Sequence, residues 1–254
     1  MQLDFDGRVV IVTGAARGIG KRIAESFSDD GAKVVVLDRD PPTEVDSRME
    51  FVRCDISSSD QVNAGIARIH KDHGRIDVLV NNAGILVEGS IESLSDEAWE
   101  RCFDVNVAGT FRTCRAVIPI MKAQRYGRIV NAASFAALIP SVNSAAYAAS
   151  KAAVVSFTRA LAGEVGPWNI TANSYAPGMV PTAMNGFADL PADQQSRLLD
   201  TLTIRRWEDP DDVAHAVKFL ANEASSYVTG TVLDVSGGKF ATQIPSRAYE
   251  QREV

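Results

Sequence analysis

An aliphatic run, Val9-Val-Ile-Val12, passes directly into Thr13-Gly14-Ala-Ala-Arg17-Gly18-Ile19-Gly20 and then into residues with helical patterning. Few sequence features constrain a fold more. Glycine lacks a Cβ, so the backbone can turn tightly and come close to another group. The helix that follows offers free N–H groups and the positive end of its dipole, which together suit a phosphate. Strand, glycine turn and helix in that order predict a βα unit whose turn carries a pyrophosphate. A glycine-rich turn without a ligand is the plainer alternative.

The same alternation runs along the whole chain. Strands are expected at 8–13, 33–37, 51–54, 76–80, 128–132, 171–175 and 231–235. Several are unbroken apolar runs, as strands covered on both faces require. Helices are expected at 18–29, 59–72, 96–122, 146–163 and 210–221, with Asp209-Pro210 and Ser95 as helix starts. Alternating strands and helices with right-handed crossovers imply an α/β fold: a seven-stranded, doubly wound parallel sheet flanked by helices. The 254 residues fit one domain without repeats or linkers. The irregular stretch 181–206 is expected to border the substrate as a lid. The tail 240–254 has no clear pattern, and it could reach a neighbouring subunit.

Composition excludes several classes. Net charge is −6 without a basic stripe, which argues against nucleic acid. The N-terminus lacks the regions of a signal peptide, and no apolar run is long enough to cross a bilayer, so no membrane association is expected. Cys54, Cys102 and Cys114 are odd in number and far apart, which suits a reducing, cytoplasmic setting. No metal site is expected: His70 and His73 share a helix face near its polar end and are expected to be solvated.

Tyr147 and Lys151 lie four apart within a helical run, on one face. A cation beside a phenol favours the phenolate, and each unit of pKa depression corresponds to about 1.4 kcal/mol. Such a tyrosine can exchange a proton with an alcohol or ketone near neutrality. Taken alone, the pair would be an ordinary helical surface pair. Asp38 ends the second strand 18 residues after Gly20, where a carboxylate accepts hydrogen bonds from ribose hydroxyls and repels a 2′-phosphate. That favours NAD over NADP, although Arg17 and Arg39 could grip a 2′-phosphate. Asp55 follows the third strand and could meet the adenine edge or cap the next loop. Asn81-Asn82-Ala83-Gly84 follows the fourth strand, where a dinucleotide would cross the sheet edge.

Together Thr13-Gly14-x-x-x-Gly18-Ile19-Gly20, Asn81-Asn82-Ala83-Gly84, Asn106, Ser134, Tyr147-x-x-x-Lys151 and Pro177-Gly178 resemble the short-chain dehydrogenase/reductase family in its compact form. The resemblance runs from residue 8 to about 238 and implies a single Rossmann-type domain. It further implies that Tyr147 is the acid/base, that Ser134 binds the reacting oxygen, that Lys151 tunes the tyrosine and touches the nicotinamide ribose, and that Asn106 holds a relay water. Implied cofactor contacts are Gly14, Arg17, Gly18, Ile19, Gly20, Asp38, Arg39, Asp55, Ile56, Asn82, Ala83, Gly84, Tyr147, Lys151, Pro177, Gly178, Val180 and Thr182. Tyr175 departs from the family, which usually has a small aliphatic residue there, so packing around the nicotinamide is open.

The expected activity is NAD-dependent interconversion of a secondary alcohol and a ketone. A small polyol, sugar or hydroxy acid is the expected substrate, in a pocket walled by Leu86, Val87, Phe135, Leu138, Val142, Asn143, Met184 and Phe187. Alternatives are an NADPH-dependent 3-oxoacyl thioester reductase and a non-catalytic NAD-binding sensor or scaffold on the same fold. Relatives pair the Tyr147 helix and the one near 99–121, so a homotetramer is expected.

Overall fold

The computed structural model describes residues 4–42, 44 and 46–250. Its seven strands are β1 (Val9–Thr13), β2 (Lys33–Asp38), β3 (Met49–Arg53), β4 (Val78–Asn81), β5 (Gly127–Ala132), β6 (Ile170–Pro177) and β7 (Val232–Val235). They form one sheet in the order β3-β2-β1-β4-β5-β6-β7, and every pairing is parallel. The principal helices are α1 (Gly18–Asp29), α2 (Ser59–His73), α3 (Asp96–Phe103), α4 (Thr110–Gln124), α5 (Ala145–Val165), α6 (Ala192–Leu199), α7 (Pro210–Ala221) and α8 (Arg247–Glu250). No helix among the described residues is long and apolar enough to cross a membrane.

The two-residue period of the strands divides the core. Val9, Ile11, Val35 and Leu37 point to one face and pack with Val62, Ile66 and Val117 of α2 and α4. Val10, Val12, Val34 and Val36 point to the other and pack with Ile23, Phe27, Val213 and Val217 of α1 and α7. Helix α7 starts where the sequence predicts: the Asp209 side chain accepts from the Asp211 N–H, and Asp212 returns a bond to the Asp209 N–H. Because β1 lies between β2 and β4, consecutive crossovers leave β1 in opposite directions, opening a crevice at the strands' C-terminal ends.

The expected single helix 96–122 is interrupted. Between α3 and α4, residues Asp104–Gly109 form a π-helical turn. Asn106 lies inside it and both gives and takes a hydrogen bond with the Ile85 backbone, donating to its carbonyl at 3.0 Å and accepting from its N–H at 2.8 Å. These bonds supply the compensation that an asparagine within a helix needs, and such bulges gather at functional sites. His70 is exposed as expected, but His73 is half-buried with Nε2 2.9 Å from Glu50. No His, Cys, Asp and Glu cluster suited to a metal exists among the described residues. The stretch 181–206 contains a short 3₁₀ turn and α6. The unpatterned tail ends its described part in α8, where Tyr249 donates to the Thr203 carbonyl at 2.8 Å and accepts from the Arg205 N–H.

The first turn of α1 passes so close to the loop after β4 that a Cβ on Gly20 would drive into the Gly14 carbonyl and the Asn82 amide. Gly20→Ala is therefore expected to cost about 1–3 kcal/mol, the usual scale of forced overpacking. Denaturant unfolding of the variant beside the parent checks this.

Candidate active site

A cavity of about 390 Å³ follows the crevice from the β1–α1 turn to the end of β6. Arg17, at the N-cap of α1, makes no side-chain cap bond to the helix, so the first-turn N–H groups face the cavity without a side-chain partner. Gly14 has φ +65, and a Cβ there would lie 2.6 Å from the Ala83 Cα. Thr13 Oγ1 accepts from the N–H groups of Asn82 and Ala83 at 3.1 and 3.0 Å. The Asn82 amide donates back to the carbonyls of Thr13 and Gly14, and its oxygen accepts from the Tyr175 hydroxyl at 3.1 Å. The departure at Tyr175 thus fills the floor and braces the glycine turn. Burial pushes its phenol well above the usual tyrosine range.

At the far end of the turn, Asp38 is pinned by two backbone donors, Ala16 N–H at 2.9 Å and Asp40 N–H at 3.1 Å. Arg17 is exposed, and the Arg39 guanidinium lies 3.3 Å from the Asp40 carboxylate. Asp55 accepts from both the N–H and the hydroxyl of Ser57, so its carboxylate caps the start of the next loop while it lines the cavity. Gly14, Arg17, Gly18, Ile19, Gly20, Asp38, Arg39, Asp55, Ile56, Asn82, Ala83 and Gly84 all reach the cavity wall, as do Tyr147, Lys151, Pro177 and Thr182. Gly178 and Val180 do not. Val180 is buried in the core and gives its carbonyl to the Asn185 amide, so it supports the wall from behind.

The four expected catalytic residues converge at the β4–β5 end. Ser134 follows β5, is 5% exposed and caps a short 3₁₀ turn by accepting from the Ala136 N–H. Tyr147 and Lys151 come from α5. The Lys151 ammonium donates to the Ala132 carbonyl at 2.9 Å and lies 5.7 Å from the Tyr147 ring centre. A Cβ on Gly84 would sit 3.1 Å from Asn106 Oδ1 and 3.4 Å from Lys151 Nζ, so a side chain there would press on Asn106. The Asn106 amide also donates to Ser150 Oγ, whose hydroxyl donates to the Tyr147 carbonyl.

Burial raises the Tyr147 phenol above its usual range, and interaction with Ser134 only partly offsets this. Burial likewise pushes Lys151 down to about 8. The ammonium is anchored by the Ala132 carbonyl on the same side of the site as the phenol ring.

Sequence reasoning missed Glu208. Its carboxylate, 8% exposed, accepts from the Gly178 N–H at 2.5 Å, and its other oxygen is buried without a partner. The Glu208 N–H donates to the Met179 carbonyl. Glu208 therefore clamps the turn after β6. No motif marks it, because an acid in a loop ordinarily reads as solvated. Burial, with Asp212 and Asp234 nearby, pushes its carboxyl up to about 8.

A Rossmann crevice that joins a phosphate-ready helix end, a pinned carboxylate and a Ser–Tyr–Lys cluster defines a nicotinamide-dinucleotide oxidoreductase site. Comparison with known proteins agrees. Residues 14–239 match a family model described as enoyl-(acyl carrier protein) reductase. The chain is 37% identical over 242 residues to 3-oxoacyl-(acyl-carrier-protein) reductase FabG of Chlamydia muridarum, covering 91% of this chain and 96% of that protein. It is 37% identical over 246 residues to (2S)-((R)-hydroxy(phenyl)methyl)succinyl-CoA dehydrogenase subunit BbsD of Thauera aromatica, covering 93% and 98%. The structure of Thermoplasma acidophilum aldohexose dehydrogenase superposes with a TM-score of 0.87 at 37% identity, covering 94% of this chain and 96% of that one. The chain belongs to the short-chain dehydrogenase/reductase family.

The Glu208 carboxyl titrates at about 8 in the fold against an ordinary 4.5. A raised carboxyl pKa contributes stability that is complete below pH 4.5 and lost as pH climbs to about 8. Glu208→Gln should remove that dependence. Unfolding free energies measured from pH 4.5 to 8.5 should show the parent losing on the order of a few kcal/mol relative to the variant across this window.

Proposed function

We propose that this oxidoreductase interconverts a secondary alcohol and a ketone with NAD as its redox partner. The convergence of Ser134, Tyr147 and Lys151 at one end of the dinucleotide crevice carries this reading. When bound, the nicotinamide supplies the hydride acceptor or donor. In the oxidative direction Tyr147 takes the hydroxyl proton, and in the reductive direction it returns it. Ser134 donates to the substrate oxygen as negative charge develops there. Positive charge beside the phenol offsets the effect of burial, and Lys151 is the chain's own source of it. Asn106 fixes the Gly84–Ile85 backbone against Lys151 and completes the polar path by which a proton leaves the phenol.

Asp38 supports NAD. A carboxylate already held by two backbone donors accepts ribose hydroxyls without reorganising, and it repels a 2′-phosphate. Arg39 is already engaged by Asp40. A small polyol, sugar or hydroxy acid is the proposed substrate. Reduction of a 3-oxoacyl thioester with NADPH is the second reading, favoured by the similarity to 3-oxoacyl-(acyl-carrier-protein) reductases and by the exposed Arg17 in the glycine turn. Assays with NAD and NADP in parallel against alcohols and a 3-oxoacyl thioester separate the two. A homotetramer built on α4 and α5 belongs to the same proposal, and a monomer by light scattering would count against it.

Tyr147→Phe should lower kcat by about 10²–10⁴-fold, the scale of one general acid/base. Dinucleotide binding, followed by fluorescence titration, should persist. Substantial turnover by the variant with binding intact would remove Tyr147 from this role.

A further inference from the structure

The apolar rim of the active site contains one cation that the proposed chemistry leaves without a task. Lys239 follows β7, and its N–H donates to Ser236 Oγ at 3.1 Å. Its ammonium is 5.7 Å from the Phe135 ring centre, and Phe135 is the residue after Ser134. The ammonium thus stands next to the segment that begins at Ser134. The turns after β6 and β7 are in contact there: a Cβ on Gly178 would lie 2.8 Å from the Ser236 Cα.

The surroundings of this cation point to a ligand. Its one side-chain hydrogen bond among the described residues goes to the hydroxyl of Thr201, which comes from the segment between α6 and α7. No carboxylate of the described residues pairs with it. Burial holds its ammonium below the usual lysine range, and no acid offsets that. A half-buried lysine without an anion is costly unless an anion arrives during function. The chain just beyond Phe135 exposes apolar side chains, with Leu138, Ile139 and Val142 at 62%, 45% and 90%, and Met184 of the cavity wall is 55% exposed.

We propose that Lys239, held in place by Thr201, forms an anion subsite that receives a carboxylate of the substrate, so that the enzyme acts on a hydroxy acid and its oxo acid. This rests on the alcohol–ketone reading of the site. A single ammonium matches a monoanionic carboxylate, whereas a phosphate dianion calls for more donors. In the reaction the hydroxy acid gives a hydride from its carbinol carbon to NAD and its hydroxyl proton to Tyr147. The products are the oxo acid, NADH and one proton, and the carboxylate is unchanged. The apolar rim covers the hydrocarbon part of the molecule.

Matched pairs test the assignment: 3-hydroxybutanoate against 1,3-butanediol, and 2-hydroxybutanoate against 1,2-butanediol, each with NAD. Glycerol 3-phosphate against glycerol serves as the phosphate arm. For at least one carboxylate pair, kcat/KM for the acid should exceed that for the diol by roughly ten- to hundred-fold, the size of one charge-assisted hydrogen bond. Lys239→Met should bring that ratio near one, and Lys239→Arg should restore most of it. Butanoate, which has the carboxylate but no oxygen to oxidise, is titrated by calorimetry in the presence of NADH. It should bind the parent and the arginine variant but not Lys239→Met. Equal turnover of acid and diol with no butanoate binding would overturn the anion subsite while leaving the oxidoreductase reading intact. Absence of turnover with every pair, with Lys239-dependent butanoate binding, would instead overturn the alcohol–ketone reading and keep the subsite. A phosphate preference that depends on Lys239, without a carboxylate preference, would overturn the carboxylate assignment.

Discussion

The close approach of the β1–α1 turn to the loop after β4 is the constraint on which the site depends. With no side chain at Gly14 or Gly20, the two backbones meet, and the Asn82 amide can hold the carbonyls of Thr13 and Gly14 while Thr13 returns two bonds to the β4 loop. The Tyr175 hydroxyl joins this junction from β6, so the C-terminal ends of three strands are tied at one amide. Because the turn's carbonyls are satisfied from below and the N–H groups of Gly14 and Ala16 are held by Leu37 and Asp38, the N–H groups of the first turn of α1 are the ones left for the crevice. A phosphate-ready surface is thus formed by the fold itself, before any ligand contributes to it.

Burial acts on the reactive pair in an instructive way. Away from other charges, desolvation raises the Tyr147 phenol and lowers the Lys151 ammonium, so it disfavours the charged form of both. A helix spacing of four residues cannot by itself create a basic tyrosine. What the fold provides is position: the ammonium is anchored to Ala132, the serine stands beside the phenol, and Gly84 leaves room for Asn106 and Lys151 side by side. The electrostatic part of the chemistry depends on positive charge and substrate being present together, which links catalysis to a filled site.

Most of the scaffold was legible in the sequence because it rests on local rules. Continuous aliphatic runs reveal strands covered on both faces, and an Asp-Pro start reveals α7. The glycine turn and the Tyr147–Lys151 spacing mark both ends of the crevice. What escaped rests on contacts between distant residues. The interruption of the helix at 104–109 depends on a bond between Asn106 and Ile85, 21 residues away, and no local pattern announces it. Glu208 looks like a solvated loop acid until β6 brings Gly178 to it. Lys239 looks like a tail lysine until the strand order sets it beside Phe135.

The π-helical turn also sets the phase of everything beyond it. Each α-helical residue advances the side-chain direction by about 100°, and a π turn accommodates one residue more within the same path. Before the turn, Cys102 faces inward toward Ser150; after it, Thr113, Cys114, Val117 and Met121 face the sheet. The residues Asp104–Gly109 stand between these two inward-facing sets. Loss of a single residue between them would rotate the whole of α4 and carry its sheet-facing side chains toward solvent. Asn106, through its grip on Ile85, therefore keeps the register of a helix more than 20 Å long, at about 1.5 Å of rise per residue, as well as serving the site it faces.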